Sequence, residues 1–144
     1  VQISGLLERV QVGCLASLNT DNTPYVTPVH YIYLDNSIYI HGLPKGQQIS
    51  NIVRDSKVGF TVYDMQDILL DPEEKPCDTN TQYESVIING TAAVINDIEI
   101  KKAALQKIVE KYMPHLSDRP LPDNMVKGTA VIRIMIESIT GKYY

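Results

Sequence analysis

The chain has 144 residues and a mass of 16.1 kDa, the size of one domain that can bury its own core. Hydrophobic residues make up 44% of it, its mean hydropathy is -0.11, and no apolar run approaches the ~20 residues of a membrane-spanning helix. We therefore expect a soluble protein, a single domain over residues 1–144, with no membrane partner.

Charge and reactive residue types exclude further classes of protein. The net charge is -4, with 13 basic and 17 acidic residues and no basic run, which argues against a nucleic-acid partner. Cys14 and Cys77 lack metal-ligand spacing, so we expect free thiols in a cytoplasmic protein. The histidines are too scattered to predict a metal site, and the glycine-rich fingerprints of nucleotide-binding loops are absent.

The first predicted elements are a short helix and a strand. Apolar residues at helical spacing predict a helix from Ile3 to Val10. Val12 to Leu18 has β character, and the polar residues from Asn19 to Thr23 predict a turn. Cys14 lies in this strand, where we interpret it as a small apolar filler rather than a nucleophile.

A hairpin follows in the central stretch of the chain. Tyr25 to Leu34 is rich in β-formers and Ser37 to His41 alternates, so both predict strands. Asp35-Asn36 between them is a plausible hairpin turn. Pro28 removes a ladder donor from the first run, which predicts an edge strand or a strand that faces a ligand.

A candidate anion site comes directly after this hairpin. Gln47 to Arg54 predicts a short helix, and Lys45 stands just before it in a loop with two glycines. The first N–H groups of a helix lack partners, so a cation and glycines at this point can receive an anion.

The rest of the chain adds three strands and a helix. Acidic residues dominate Asp64 to Gln82, which we interpret as a long solvated connection because the spacing of a calcium loop is missing. Gly90 predicts a bulge or a close backbone approach, and Asn96-Asp97 predicts a helix cap. Six strands with few helices and no regular βα alternation predict a small antiparallel barrel. The remaining predicted elements are strands at Lys57 to Tyr63, Tyr83 to Ile95 and Thr129 to Ile139, a helix ending at Tyr112, and a connection at Pro114 to Lys127.

Four motifs occur in order along nearly the whole chain. They are G-x-L-A at Gly13–Ala16, P-Y-V-x-P at Pro24–Pro28, Y-x-H-x-x-x-x-G at Tyr39–Gly46 and Q-Y-x-S-V-x-x-x-G at Gln82–Gly90. With I-T-G-K at Ile139–Lys142, this set resembles the flavin-binding split-barrel superfamily that includes pyridoxamine 5'-phosphate oxidases. Within that superfamily, the nitroimidazole-resistance (Nim-like) group is the most similar.

The resemblance implies a mainly β, six-stranded antiparallel split β-barrel with short flanking helices. It also implies FMN held in a cleft between the two subunits of a homodimer. In such proteins the strand matching Val26 to His30 runs along the flavin, the residue matching Ser85 faces its ring, and Lys45 matches a cation that binds its phosphate. The implied cofactor-binding residues are Val26, Thr27, Pro28, Val29, His30, Ile40, His41, Lys45, Gln48 and Ser85.

One departure from the family pattern concerns the phosphate. Relatives often carry Arg or Lys where this chain has Gln47 and Gln48, so fewer cations surround the expected phosphate. We interpret His41 as a candidate catalytic residue and as a second cation when its imidazole is protonated. On that hypothesis, flavin affinity declines as pH rises from about 6 to 8.

Each site residue also has a structural interpretation. Lys45 fits a solvated loop cation, Thr27 and Ser85 fit ordinary strand positions, and His30 and His41 fit structural histidines. Two functions follow from the resemblance. One is an oxidoreductase that passes electrons from NAD(P)H to a small acceptor, such as a nitroimidazole-type nitro compound. The alternative is a flavin- or haem-binding module without turnover.

Overall fold

The computed structural model describes residues 2–144, and this part of the chain forms seven strands and four α-helices. The strands are β1 (Val12–Leu18), β2 (Pro24–His30), β3 (Ile32–Leu34), β4 (Ser37–Gly42), β5 (Lys57–Leu69), β6 (Asn80–Val94) and β7 (Ala130–Tyr143). The helices are α1 (Gln2–Arg9), α2 (Gln47–Arg54), α3 (Ile98–Tyr112) and α4 (Asp123–Gly128). The predicted mainly β, antiparallel fold with short helices is confirmed.

The prediction of six strands is wrong by one, because Tyr31 divides the run from Tyr25 to Leu34. Tyr31 is fully buried, its hydroxyl donates to the Leu7 carbonyl at 2.8 Å, and its N–H donates to the Tyr112 hydroxyl oxygen at 2.9 Å. The backbone at Tyr31 therefore bonds to side chains of α3 instead of a sheet ladder, and its hydroxyl bonds to α1, so β2 and β3 are separate strands.

The β3–β4 turn has the predicted position. Asp35 and Asn36 have φ values of 50° and 59°, the left-handed region that a type I′ hairpin turn requires at both central residues. Asp and Asn tolerate this region better than most residues because their side chains hydrogen-bond locally.

The seven strands form one sheet in the order β2-β1-β5-β6-β7-β4-β3, with antiparallel neighbours throughout. The edge strand β2 also approaches β4, so the sheet curls into a barrel that is split along this seam. One buried cluster fills the interior, including Leu15, Phe60, Val86 and Ile134. Buried residues of α1 and α2, among them Leu7 and Ile52, belong to the same cluster.

The acidic connection is shorter than predicted. β5 continues to Leu69 and β6 begins at Asn80, so about half of the stretch from Asp64 to Gln82 is paired strand in a hairpin that extends from the barrel. Gly90 lies at a register shift against β7, and an added Cβ there would stand 2.4 Å from the Met135 carbonyl oxygen. The predicted bulge and close backbone approach are both confirmed.

The barrel has two contrasting outer faces. On the sealed face, α3 packs Ala104 and Ile108 against Ile32, Tyr39 and Val131 of the sheet. Asp97 caps α3 as predicted, accepting from the N–H groups of Glu99 and Ile100. The predicted connection from Pro114 to Lys127 contains most of α4 (Asp123–Gly128).

The open face is the outer side of β1, β2, β5 and β6. Register pairs such as Ala16 with Val26 and Thr61 with Ile87 place their side chains on the same side of the sheet. The large apolar residues exposed on this face are Val12, Val26, Tyr63, Met65 and Ile87, each with 46–60% of its surface accessible. Within residues 2–144, none of the helices has the length and apolar character needed to cross a membrane.

Candidate functional site

A groove lies at the N-terminal end of α2, beside the seam of the barrel. Its volume is about 260 Å³. It brings together three of the predicted site residues, His41, Lys45 and Gln48. We call it the α2 groove, and its lining residues are Tyr25, His41, Gly42, Leu43, Lys45, Gly46, Gln47, Gln48, Ile49 and Ile132.

The backbone at the start of α2 suits an anion. Gly46 is the N-cap residue with a φ of 136°, a conformation that L side chains rarely adopt, and no side chain caps the helix. The first turn of α2 contains no acidic residue, and the exposed Lys45 precedes it. Uncapped N–H groups, the helix dipole and a cation therefore act in the same direction at this end of the groove.

The two glutamines of α2 fasten the helix to its neighbours. Gln48 Nε2 donates to Thr27 Oγ1 on β2 at 3.2 Å, and Gln47 Nε2 donates to Asn19 Oδ1 in the β1–β2 turn at 2.6 Å. Both amides are hydrogen-bonded within the protein. They stand at the positions where relatives often have cations, and they supply no charge to the groove. Among the described residues that line the groove, Lys45 is the one side chain with a permanent positive charge.

His41 lies on the outer side of β4 and lines the α2 groove. Desolvation by the surrounding protein lowers the pKa of His41 from its ordinary value of 6.5, and the nearby His30 lowers it further. A lowered pKa favours the neutral imidazole at neutral pH, which argues against a second cation there before a phosphate binds. Because the pKa of His41 is lowered, we expect the loss of FMN affinity at a lower pH than the range from about 6 to 8 predicted above.

The predicted flavin strand, β2, is an edge strand, which accounts for Pro28 in its middle. Val26, Pro28 and His30 are exposed on the open face, while Thr27 and Val29 are half-buried. The His30 ring contacts the Tyr112 ring edge to face, with centroids 5.1 Å apart.

The five predicted residues of β2 do not line the α2 groove, and neither do Ile40 and Ser85. Ile40 is only 3% exposed and its side chain belongs to the barrel interior. Ser85 lies on β6, opposite Tyr63 and Lys142, and lines a separate groove of about 260 Å³ beside α1. β1 and β5 separate β2 from β6, so the strand that carries Ser85 lies about 14 Å from β2, across three strand spacings.

Asn51 is a residue of the site that the sequence reasoning missed. It is 3% exposed, and its amide lies 3.2 Å from Ser17 Oγ and 3.0 Å from Asn19 Oδ1. Asn51 thereby joins α2 to the end of β1 and the turn that follows. A polar residue beside Ile52 on the buried side of a short helix was the signal that could have identified it.

A larger cavity lies elsewhere and contains none of the predicted site residues. It measures about 610 Å³ and lies between α1, β3 and α3. Its most distinctive group is the Lys111 ammonium, which donates to the carbonyls of Leu7, Val10 and Tyr31 at 2.7–3.3 Å. Burial lowers the pKa of Lys111 to about 8, which leaves it charged at neutral pH. With its donors used, Lys111 is a structural cation.

Comparison with known proteins agrees with this architecture. The family profile described as pyridoxamine 5'-phosphate oxidase matches residues 2–143. The chain belongs to this family. No curated protein sequence matches it closely enough to add to that assignment.

Solved structures with this fold come from several bacteria. A candidate 5-nitroimidazole antibiotic resistance protein from Bacteroides thetaiotaomicron has a TM-score of 0.82 at 22% identity, over 97% of this chain and 81% of that one. A FAD and heme binding protein from Mycobacterium smegmatis has a TM-score of 0.87 at 16% identity, over 99% and 69%. The flavocytochrome Anf3 from Azotobacter vinelandii has a TM-score of 0.84 at 20% identity, over 99% and 65%. At these identities the likeness concerns the fold.

Proposed function

We propose that this protein binds FMN non-covalently and acts as a flavin-dependent oxidoreductase. The observation that carries the proposal is the α2 groove, where Lys45 and the uncapped start of α2 provide a site for the flavin phosphate. The absence of a nearby side chain at Gly42 and Gly46 leaves room for a ligand to approach the backbone. Relatives with this fold that bind FAD or reduce F420 support the assignment of a flavin-type cofactor.

The flavin ring is proposed to lie against the exposed side chains of β2. Val26, Pro28 and His30 give this edge strand an accessible surface, while Thr27 on its other side contacts α2. A bound flavin supplies the redox chemistry, while the protein binds it, orients it and limits the access of water. Thr27 contributes indirectly, since it anchors Gln48 and with it the first turn of α2.

A homodimer is part of the proposal. The open face leaves five large apolar side chains accessible, and a surface of this kind is typical of a protein interface. Because β6, which carries Ser85, lies about 14 Å from β2 in one chain, a second copy packed on the open face is the simplest way to bring a Ser85 to the ring. Two-fold symmetry then gives two equivalent sites.

The proposed reaction takes electrons from NAD(P)H and delivers them to a small acceptor. The accessible surface of β2 leaves the ring open to both in turn. A nitroimidazole-type compound is the acceptor we favour, because one structural relative is a candidate nitroimidazole resistance protein. The free thiols of Cys14 and Cys77 fit the reducing cytoplasm, which we propose as its location.

Flavin retention and the Lys45→Ala variant test the binding proposal. Protein mixed with excess FMN and desalted should keep flavin absorbance near one FMN per subunit. A charge-assisted contact is worth roughly 1.5–3 kcal/mol, so Lys45→Ala should weaken FMN about tenfold to a hundredfold and leave riboflavin almost unchanged. Lys57→Ala, at an exposed cation on β5, is the matched control. Equal losses for FMN and riboflavin would assign Lys45 to the loop structure instead.

Anaerobic reduction tests the enzyme proposal. NADH or NADPH should bleach the flavin absorbance of the holoprotein, and a nitroimidazole should restore it. Protein that retains flavin but is not reduced by either nucleotide would be a binding module. Protein that rejects flavin and acquires a Soret band with haem would be a haem protein.

A further inference from the structure

A group of polar side chains surrounds Ser85 on the open face. Tyr63 of β5 and Lys142 of β7 are the register partners of Ser85, one on each neighbouring strand. Tyr83 precedes Ser85 by two residues on β6, so the four side chains lie on the same side of the sheet. The next residue, Val86, is buried in the interior, so this side is the outer one. We call the group the tyrosine slot, defined by Tyr63, Tyr83, Ser85 and Lys142.

The tyrosine slot has a short side chain at its base and longer side chains on both sides. Neighbouring strands lie about 4.8 Å apart, so Tyr63 and Lys142 stand on backbones about 10 Å apart with Ser85 between them. The rings of Tyr63 and Tyr83 have centroids 5.7 Å apart and are inclined by 31°, so they form one aromatic wall. The space above Ser85 therefore has the width of one flat ring.

The polar atoms of the tyrosine slot are free to bind a ligand. Within residues 2–144, the hydroxyls of Tyr63, Tyr83 and Ser85 and the ammonium of Lys142 make no hydrogen bond or ion pair. In the α2 groove, by contrast, both glutamine amides are engaged. Lysines are depleted at the core of protein interfaces, so this part of the open face suits a cleft beside an interface better than the interface itself.

The chemistry of the tyrosine slot suits an electron-poor aromatic ring that carries a negatively polarised substituent. The faces of the Tyr63 and Tyr83 phenol rings are electron-rich, so they attract a ring from which electrons are withdrawn. Lys142 supplies a compact cation with three donors, and the Ser85 hydroxyl supplies another donor. A nitro group withdraws electrons from its ring and places two partly negative oxygens within reach of these donors.

The position of the tyrosine slot relates it to the proposed flavin site. In the proposed dimer, the Ser85 of a second copy faces the flavin ring, so the slot that surrounds Ser85 opens onto the same ring. We propose that the tyrosine slot binds the electron acceptor, a nitro-substituted aromatic molecule, and holds it against the flavin bound by the other subunit. The inference rests on the proposed function and adds to it the residues that select the acceptor.

Reoxidation of the reduced flavin by two acceptors tests this inference. The holoprotein is reduced anaerobically by NADH or NADPH and mixed with nitrobenzene or with dioxygen, which has no ring to stack, and the ratio of the two rate constants is measured. Loss of an aromatic contact should lower this ratio about fivefold in Tyr63→Leu. Tyr63→Phe keeps the ring and should restore most of the ratio.

The cation of the slot has a separate test. Lys142→Gln should lower the same ratio about threefold, because the nitro oxygens lose their charged donor. Lys75→Gln, at an exposed cation of the β5–β6 hairpin, is the charge control and should leave the ratio unchanged. FMN affinity, measured in parallel, reports whether each variant is folded.

The outcomes separate this inference from the function on which it rests. Equal ratios in the wild type, Tyr63→Leu and Lys142→Gln would overturn the acceptor site and leave the flavin function standing. A protein that binds no flavin, or whose flavin neither nucleotide reduces, would overturn both. A rate that saturates with nitrobenzene concentration in the wild type and stays linear in Tyr63→Leu would support a bound acceptor directly.

Discussion

The two outer faces of this barrel differ in how far their apolar side chains are covered. Both are sheet surfaces with large apolar side chains, yet the sealed face is covered by α3 and the open face keeps residues such as Ile87 and Val26 more than half accessible. The predicted flavin strand β2 lies on the open face. The chain thus covers one of these faces with its own helix, and the other is the face on which we propose that a second copy and a cofactor bind.

A half-buried cation, Lys111, joins the sealed face to α1, and its removal should have the largest effect. Lys111 donates to three carbonyls that belong to α1, the segment after it and Tyr31, and its ammonium lies 4.0 Å from the Tyr31 ring centroid. Lys111→Met leaves these carbonyls without that donor. We expect a loss of about 3 kcal/mol in the free energy of unfolding, measured by urea denaturation.

Lys107→Met is the matched control for this prediction. Lys107 is on the same helix, is exposed, and makes only a 3.9 Å ion pair with Glu110. Its replacement should cost less than about 0.5 kcal/mol. Equal stability of the two variants would show that the carbonyl contacts of Lys111 contribute little.

A substitution on the open face should weaken dimerisation and leave the stability of the single subunit almost unchanged. Ile87 lies on the open face and is 55% exposed. Ile87→Lys should therefore leave the fold of one subunit intact. At an interface the same change buries a charge, and we expect at least about 2 kcal/mol weaker dimerisation, roughly thirtyfold in the dissociation constant. Sedimentation velocity of Ile87→Lys against Met125→Lys, an exposed apolar residue on α4, measures the difference. A wild-type protein that sediments as a monomer would remove the dimer from the proposal.

A smaller effect on the sealed face concerns the start of α3. Asp97 accepts from the N–H groups of Glu99 at 2.9 Å and Ile100 at 3.2 Å. Loss of such a cap typically costs about 1 kcal/mol, so Asp97→Ala should lower the free energy of unfolding by that amount. Asp118→Ala, at an exposed position after α3, is the control. An unchanged midpoint in Asp97→Ala would mean that packing alone fixes α3.

Local chemistry explains which parts of the fold could be predicted. The Asp35-Asn36 turn, α2, the Asp97 cap and the Gly90 bulge each depend on residues close in sequence, and all four are found where they were predicted. The break at Tyr31 was missed because its cause lies in distant residues, Leu7 and Tyr112. The hairpin extension was missed because its acidic strands are stabilised by pairing rather than by burial of an apolar face.

In the candidate site, too, features that depend on local sequence were predicted and features that depend on distant residues were not. Lys45 and the start of α2 followed from the loop and helix signals, and His41 and Gln48 line the same groove. The engagement of Gln47 and Gln48 with Asn19 and Thr27 could not be predicted, since it depends on where α2 lies against β2 and the β1–β2 turn. The burial of Ile40 could not be predicted from alternation, because every residue from Ser37 to Ile40 is buried.

Replacement of His41 should have the smallest effect, and it tests whether a protonated imidazole contributes to phosphate binding beside the seam. Desolvation, followed by the influence of His30, lowers the pKa of His41, so its imidazole is neutral at pH 7–8 and gains a proton only below its ordinary pKa of 6.5. The dissociation constant of FMN for His41→Gln, divided by that for wild type, should be close to one at pH 8. Below pH 6 the wild-type imidazolium attracts phosphate, and the ratio should rise to about threefold. The ratio cancels the titration of the phosphate itself and of His30, which both proteins share. A ratio that changes with a midpoint above pH 6.5 would mean that the bound phosphate raises the pKa of His41 by more than desolvation lowers it, and the imidazole would then be a phosphate ligand.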